Sequence, residues 1–291
     1  MDDGNNVTIW GFTDLAGGGG GMMGADMGGG NVFPSPAMRV RTGQIVHTNL
    51  TVSGMMWMHT IHHHGIEPHY ASDGVGHITW DVSGGTYTYT YQWRPAHPGT
   101  YFYHCHTNTV LHAEMGMYGA LIVDPPEGPG TMYSGGPTYD VEAFWVVDEI
   151  DSSWHNLNWA AGTCGQDVGL DELNPDYFII TGVDGSGDTA MDLPPISATV
   201  QRGQTLLARY ICAGYHPQRI RFGGLTGTVV ISDGRILPRA IEVQELRACS
   251  GERYDILFTP TKTGTYVIET DIIHWVTGKV LGTTRTTVTV V

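Results

Sequence analysis

This sequence predicts an all-β chain of two Greek-key β-sandwich or barrel domains, on three observations. Threonine, tyrosine and valine crowd short segments punctuated by turn residues, with 41 glycines in the chain and no long stretch of helical period. A strand-rich unit is written twice: RVRTGQIV, MHTIHHHG and PGTYFYHCH in the first half answer to TVQRGQTLLARY, YHPQRIRFGG and TGTYVIETD in the second. The length, 291 residues, suffices for two domains that each bury a core.

The first domain is predicted over residues 1–124. Within it, GGGGGMMGADMGGG at 17–30 is low-complexity and reads as a mobile loop or insertion, whereas TYTYTYQW at 86–93 alternates as a strand does. The proline- and glycine-rich run that opens with PPEGPG marks a linker over 125–138. The second domain follows over 139–291, with strands such as ERYDILF at 252–258.

The formal charge is −15, owing more to scarce lysine (Lys262 and Lys279) than to abundant acids. An acidic surface argues against nucleic acid and anionic membranes as partners. No apolar run approaches the roughly 18 residues of a membrane span, so no membrane insertion is expected. The start, MDDGNN, lacks a signal-peptide pattern, which suits either a cytoplasmic protein or a mature form. Of four cysteines, Cys105 lies between histidines and reads as a metal ligand. Cys164, Cys212 and Cys249 then allow at most one disulfide, its pairing open.

Ligand-type residues concentrate in two strings of the first half. MHTIHHHG holds His59, His62 and His64, and YHCHTNTVLHAEMGM holds His104, Cys105, His106, His112 and Met117. One thiolate, two imidazoles and a weak thioether form the set that selects blue (type 1) copper: His59, Cys105 and His112, with Met117 axial and Met115 as a competitor. On a strand, residues two apart share a face. His104 and His106 therefore project together, opposite to Cys105, and His62 and His64 share a face. Four imidazoles can thus converge on a second copper site of one or more ions beside the thiolate. His63 points away and reads as a core residue.

These strings resemble the multicopper oxidases, most closely two-domain laccase-like proteins with blue copper in the first domain, and more distantly the copper nitrite reductases. The resemblance implies cupredoxin-like domains, an oxidoreductase activity, a homotrimer and an extracytoplasmic (periplasmic or secreted) location. It also makes SDGVGHITW the segment whose aspartate, Asp73, is a candidate proton donor; a turn aspartate before glycine accounts for Asp73 equally well.

The family pattern fails in the second half. Aligning the repeats puts Arg219 and Arg221 at cluster-ligand positions, and Glu269, Thr270 and Asp271 where His104, Cys105 and His106 stand. Arginine has no acceptor atom and keeps its proton, so it cannot ligate copper. Two unit charges about 4 Å apart at an effective dielectric near 20 interact by about 4 kcal/mol, so guanidiniums would repel a dication. A salt-bridge cluster of Arg219 and Arg221 with Glu269 and Asp271 is one expectation; solvated surface charges are the other. His216 and His274 remain as possible ligands outside the aligned positions.

Two functions follow. One is a copper oxidoreductase taking electrons from a small-molecule or protein donor, with Asp73, Glu269 or Asp271 moving protons and four-electron oxygen reduction doubtful. The other is an electron carrier or copper-binding protein. Met22, Met23, Met27, Met55, Met56 and Met58 suggest Cu(I) capture, but a linker and core packing explain them better.

Overall fold

The computed structural model describes residues 1, 3–15, 33–52, 58–83, 87–163, 165–184 and 196–291. The glycine-rich run, Met22, Met23, Met27, Met55, Met56 and Cys164 lie outside the described residues. The first half contributes β1 (Ser35–Arg41), β2 (Val46–Val52), β3 (His62–His64), β4 (Tyr87–Trp93), β5 (Gly99–His104), the helix α1 (Thr109–Glu114) and β6 (Tyr118–Asp124). The second begins with β7 (Val141–Ile150), β8 (Tyr177–Ile180), β9 (Val183–Asp184), β10 (Ala198–Val200), β11 (Leu206–Cys212) and β12 (Gln218–Arg221). It ends with β13 (Gly227–Ser232), β14 (Arg235–Val243), β15 (Glu245–Ala248), β16 (Arg253–Phe258), β17 (Gly264–Ile273) and β18 (Val280–Val290).

The written repeat is a repeat of topology. One sheet runs β1-β6-β5-β3, and its counterpart runs β10-β18-β17-β12 with β15 added at the edge. The β1–β6 and β10–β18 pairs are parallel, while β5–β6, β17–β18, β3–β5 and β12–β17 are antiparallel. Gly99 and Gly264 enter β5 and β17 with φ of 143° and 144°, a backbone that favours glycine. Across from these sheets stand β2–β4 in the first half and a seven-stranded sheet, β14-β13-β16-β11-β7-β8-β9, in the second.

Aromatic side chains fill each sandwich: Tyr91, Trp93, Tyr101 and Tyr103 in the first, Trp145, Tyr210, Phe222 and Phe258 in the second. Every residue of β5 and β6 is buried, because their second face packs Phe102, Tyr118 and Ile122 against Phe144, Val146 and Ile211 of the second half. A strand covered on both sides loses the polar alternation, which is why YGALIVD reads as a continuous apolar run. A polar seam borders this contact. Arg209, 3% exposed, joins Glu142 at 2.6 Å and Asp255 at 3.1 Å, and Arg39 ties Asp124 to Glu142.

Three particulars add to the sequence reading. The 125–138 segment packs on the second half, with Met132 buried among Leu207, Val230, Ile231 and Leu257. Cys212 and Cys249 are free thiols, so they do not form the disulfide the count allowed. The string carrying His112 folds as the six-residue α1, too short to register as helical period.

Candidate metal centres

The first site forms where β5 ends. Cys105 Sγ lies 3.7 Å from His59 Nδ1 and 3.4 Å from His112 Nδ1, and all three residues are buried. Donors held about 2.0 and 2.3 Å from one ion, at roughly 110–120° to each other, stand about 3.5–3.7 Å apart. The triad therefore fits one ion. Met117 is buried beside it and its carbonyl accepts the Cys105 N–H at 2.9 Å. Met115 packs instead with Leu111, Trp154 and Ala161. His112 sits on the one α-helix among the described residues, and its Nε2–H donates to the Trp159 carbonyl at 3.0 Å, which leaves Nδ1 as the lone-pair nitrogen. Burial pushes the Cys105 thiol up to about 11 and holds His59 down to about 4. Neutral imidazoles and a thiol without a cationic partner suit a metal ion that supplies the missing charge.

The second site begins one residue away. His62 and His64 lie on β3, opposite β5, with His62 paired to His104. The ligand atoms of His62, His64 and His104 fall within 4.8 Å of one another. The His106 ring lies 5.4 Å from that of His62 and 5.7 Å from that of His104. His106 falls beyond the end of β5; its ring lies near-parallel to that of His104 and its Nδ1 stands 3.2 Å from Thr109 Oγ1, outside the group of three.

Two of these histidines are oriented through the far nitrogen. His62 Nδ1–H donates to the Asp73 carbonyl at 2.6 Å, and His104 Nδ1–H to the Cys105 carbonyl at 3.0 Å, freeing both Nε2 atoms. His64 stands with Nδ1 3.3 Å from His104 Nε2. Burial holds His64 and His104 down to about 3, His64 also through the nearby Arg253 guanidinium. The Asp73 carboxylate reaches 3.7 Å from His62 Nδ1. His63 turns inward, its Nε2 3.0 Å from Thr48 Oγ1 and its ring against Trp93.

In the second half the matching strands carry charge. Asp271 binds Arg219 at 2.7 Å and is also paired with Arg221 and with the Thr283 hydroxyl; Glu269 binds Arg221 at 3.2 Å and Arg285 at 3.1 Å. Desolvation opposes ionisation of Asp271, but the two guanidiniums outweigh it and hold its carboxyl far below the ordinary range. Such a group stays ionised near neutrality, and Glu269 lies on the same strand face, paired with two guanidiniums.

The register also corrects the alignment. His62 faces His104, but Arg219 faces Asp271 and Arg221 faces Glu269, a displacement of two residues. Because side chains alternate with period two, the shift preserves which face each one occupies.

The residues between these landmarks are matched by family descriptions. Two sequence models, each described as multicopper oxidase, match residues 22–128 and 146–290. The chain belongs to the multicopper oxidase family. An L-ascorbate oxidase of Cucumis sativus is 35% identical over 144 residues, covering 47% of this chain and 22% of that protein. The blue copper oxidase structure from Nitrosomonas europaea superposes with a TM-score of 0.70 at 27% identity, covering 89% of this chain and 77% of that one. A copper nitrite reductase from the same organism shares the fold, with a TM-score of 0.69 at 16% identity over 89% of this chain and 84% of that one. Curated relatives are longer, the chain spanning from 22% to 47% of their length.

As a multicopper oxidase, the chain has four site neighbours that pattern reading missed. The Trp159 carbonyl caps His112. Gly251 lies against His64, such that a Cβ there would stand 3.1 Å from its Cε1, and Arg253 is buried behind it. Glu149, fully buried, accepts the Tyr215 and His216 N–H groups and His216 Nδ1–H on one oxygen. Only the apolar context of Glu149 in VVDEI hinted at any of them. The His274 ring is tilted against that of His216 at 5.7 Å, and among the described residues the pair belongs to no group of three whose ligand atoms lie within reach of one ion.

Proposed function

We propose that the chain is a copper-dependent oxidoreductase. His59, Cys105, His112 and Met117 would hold a type 1 copper, and His62, His64, His104 and His106 a second site of one or more ions. The observation that carries this reading is Cys105, whose thiol belongs to the first site while its carbonyl accepts the Nδ1–H of His104 in the second. One residue thus joins the two donor sets. Bound copper would supply one-electron redox chemistry at the first site and a reduction centre for oxygen or nitrite at the second.

The chain's own residues prepare this. Burial keeps the imidazoles neutral and ready to ligate, the Asp73 and Cys105 carbonyls fix which nitrogen faces inward, and the Asp73 carboxylate stands near enough to His62 to carry protons. Exposed Trp275 and Val276, at 74% and 76% exposure, favour contact with neighbouring chains in a homotrimer. An extracytoplasmic location and a small-molecule or protein electron donor complete the reading.

The ion-paired second half favours one alternative, an electron carrier in which the second site does not turn over. Copper counting per chain with electron paramagnetic resonance separates them. Two or more coppers, with oxygen or nitrite turnover lost in His104→Ala, is the expected result. One blue copper and no turnover would leave the carrier.

A further inference from the structure

The outer histidine of the first site has no open edge. His112 is 0% exposed, its Nδ1 faces Cys105, and its Nε2–H is taken by the Trp159 carbonyl at 3.0 Å. Asn108 Nδ2 donates to that same carbonyl at 3.3 Å and to the Ala161 carbonyl at 3.0 Å. The segment is therefore strapped to the residue that caps the helix carrying His112. Trp10 and His59 close two more sides of the ring, at centroid distances of 5.4 and 5.0 Å. What meets solvent is the Trp159 side chain, 43% exposed, and Val110, 45% exposed.

We propose that electrons enter through the surface made by Trp159 and Val110, delivered without ligation by a positively charged, metal-centred one-electron donor. The His112–Trp159 hydrogen bond is the link inward. This rests on the copper oxidoreductase reading and names the donor class for it. Both ring nitrogens of His112 are committed, so no donor hydrogen-bonds to it or hands it a proton. The Trp159 carbonyl already accepts two hydrogen bonds on its two lone pairs. A phenol, which loses a proton along with its electron, therefore finds neither His112 nitrogen nor the Trp159 carbonyl free to accept it. A metal complex that changes only its oxidation state needs no acceptor: it gives up one electron, the centre held by His59, Cys105, His112 and Met117 gains one, no bond forms or breaks, and Nε2 keeps its proton. The formal charge of −15 sets the sign, drawing a cationic donor over long range.

Two measurements test this. In the metal-free full chain, nuclear magnetic resonance should find a slowly exchanging His112 Nε2–H. Asn108→Gly keeps the left-handed backbone (φ 45°) but removes both amide hydrogen bonds, and should speed that exchange roughly tenfold or more. In the copper-loaded full chain without oxygen, bleaching of the blue band is followed with hexaammineruthenium(II) and with 2,6-dimethoxyphenol. The ruthenium rate should fall as salt is added and drop roughly tenfold in Trp159→Leu, while Asn108→Gly should selectively accelerate the phenol. Judging each donor by its own response removes differences in driving force. A fast-exchanging Nε2–H, a ruthenium rate indifferent to salt and to Trp159→Leu, or a phenol rate unmoved by Asn108→Gly overturns the inference. A loaded protein without a blue band overturns the copper reading instead, and the exchange measurement then decides on the strap by itself.

Discussion

The β3–β5 pair of the first half and the β12–β17 pair of the second occupy corresponding places in one sheet plan, yet one gathers neutral imidazoles and the other gathers ions. In the first, burial strips the histidines of charge, so their lone pairs are left for a cation. In the second, each guanidinium has a carboxylate, and the charge balance is met without metal. His59 and His216 make the same contrast. The first offers Nδ1 to a thiol, while the second donates it to the buried Glu149 at 3.1 Å. A shared backbone thus imposes a face and a depth. The residue type on that face decides whether the slot attracts a cation or seals itself.

Four measurements break or sharpen this contrast. The largest effect belongs to Cys105→Ser, which should abolish the blue absorption altogether, whereas His216→Ala in the second half should leave the band in place; colour surviving in the serine variant would refute the ligand set. Glu149→Ala strands three buried donors, two backbone N–H groups and an imidazole. Urea denaturation should read a loss of about 3–5 kcal/mol. Gly214 leaves room for that carboxylate, since a Cβ there would lie 2.0 Å from Glu149 Oε2.

Asp271→Asn should cost less, about 1–3 kcal/mol, because the guanidiniums it would strand are partly exposed and screened, their side chains 32% and 34% accessible. A denaturation midpoint unmoved by this substitution would show the cluster to be idle.

The most gradual effect is on pH. Burial holds His59, His64 and His104 down to about 4, 3 and 3 in the folded metal-free chain, against 6.5 unfolded. Between these values the unfolded chain binds more protons, so stability rises with pH and is lost progressively as pH falls below about 6.5. Asp271 has the opposite origin. Its carboxyl is depressed, so its contribution is whole above the unfolded value of 3.8 and goes only in stronger acid. Denaturation followed from pH 7 downward should therefore detect the first half's histidines before the second half's ion pairs.

Much of this was legible in the chain because the signals are local. Alternation with period two separates Cys105 from its flanking histidines whether or not β5 reaches His106, and the faces of Arg219 and Arg221 survive a register error of two residues. Signals that depend on distant contacts were silent. Trp159 meets His112 from 47 residues away and Glu149 meets His216 from 67. The six residues of α1 are fewer than periodicity needs.

By itself the sequence named the donor side chains: which types can bind a metal ion, which cannot, and that two donor groups would meet around Cys105 and its neighbours. Those follow from donor chemistry and from strand alternation, which need no knowledge of the rest of the fold. Only the tertiary structure decided that Asp271 is held by two guanidiniums and that His112 is sealed under Trp159. Both depend on sheet register and on one half packing against the other, which bring together side chains that the order of residues leaves far apart.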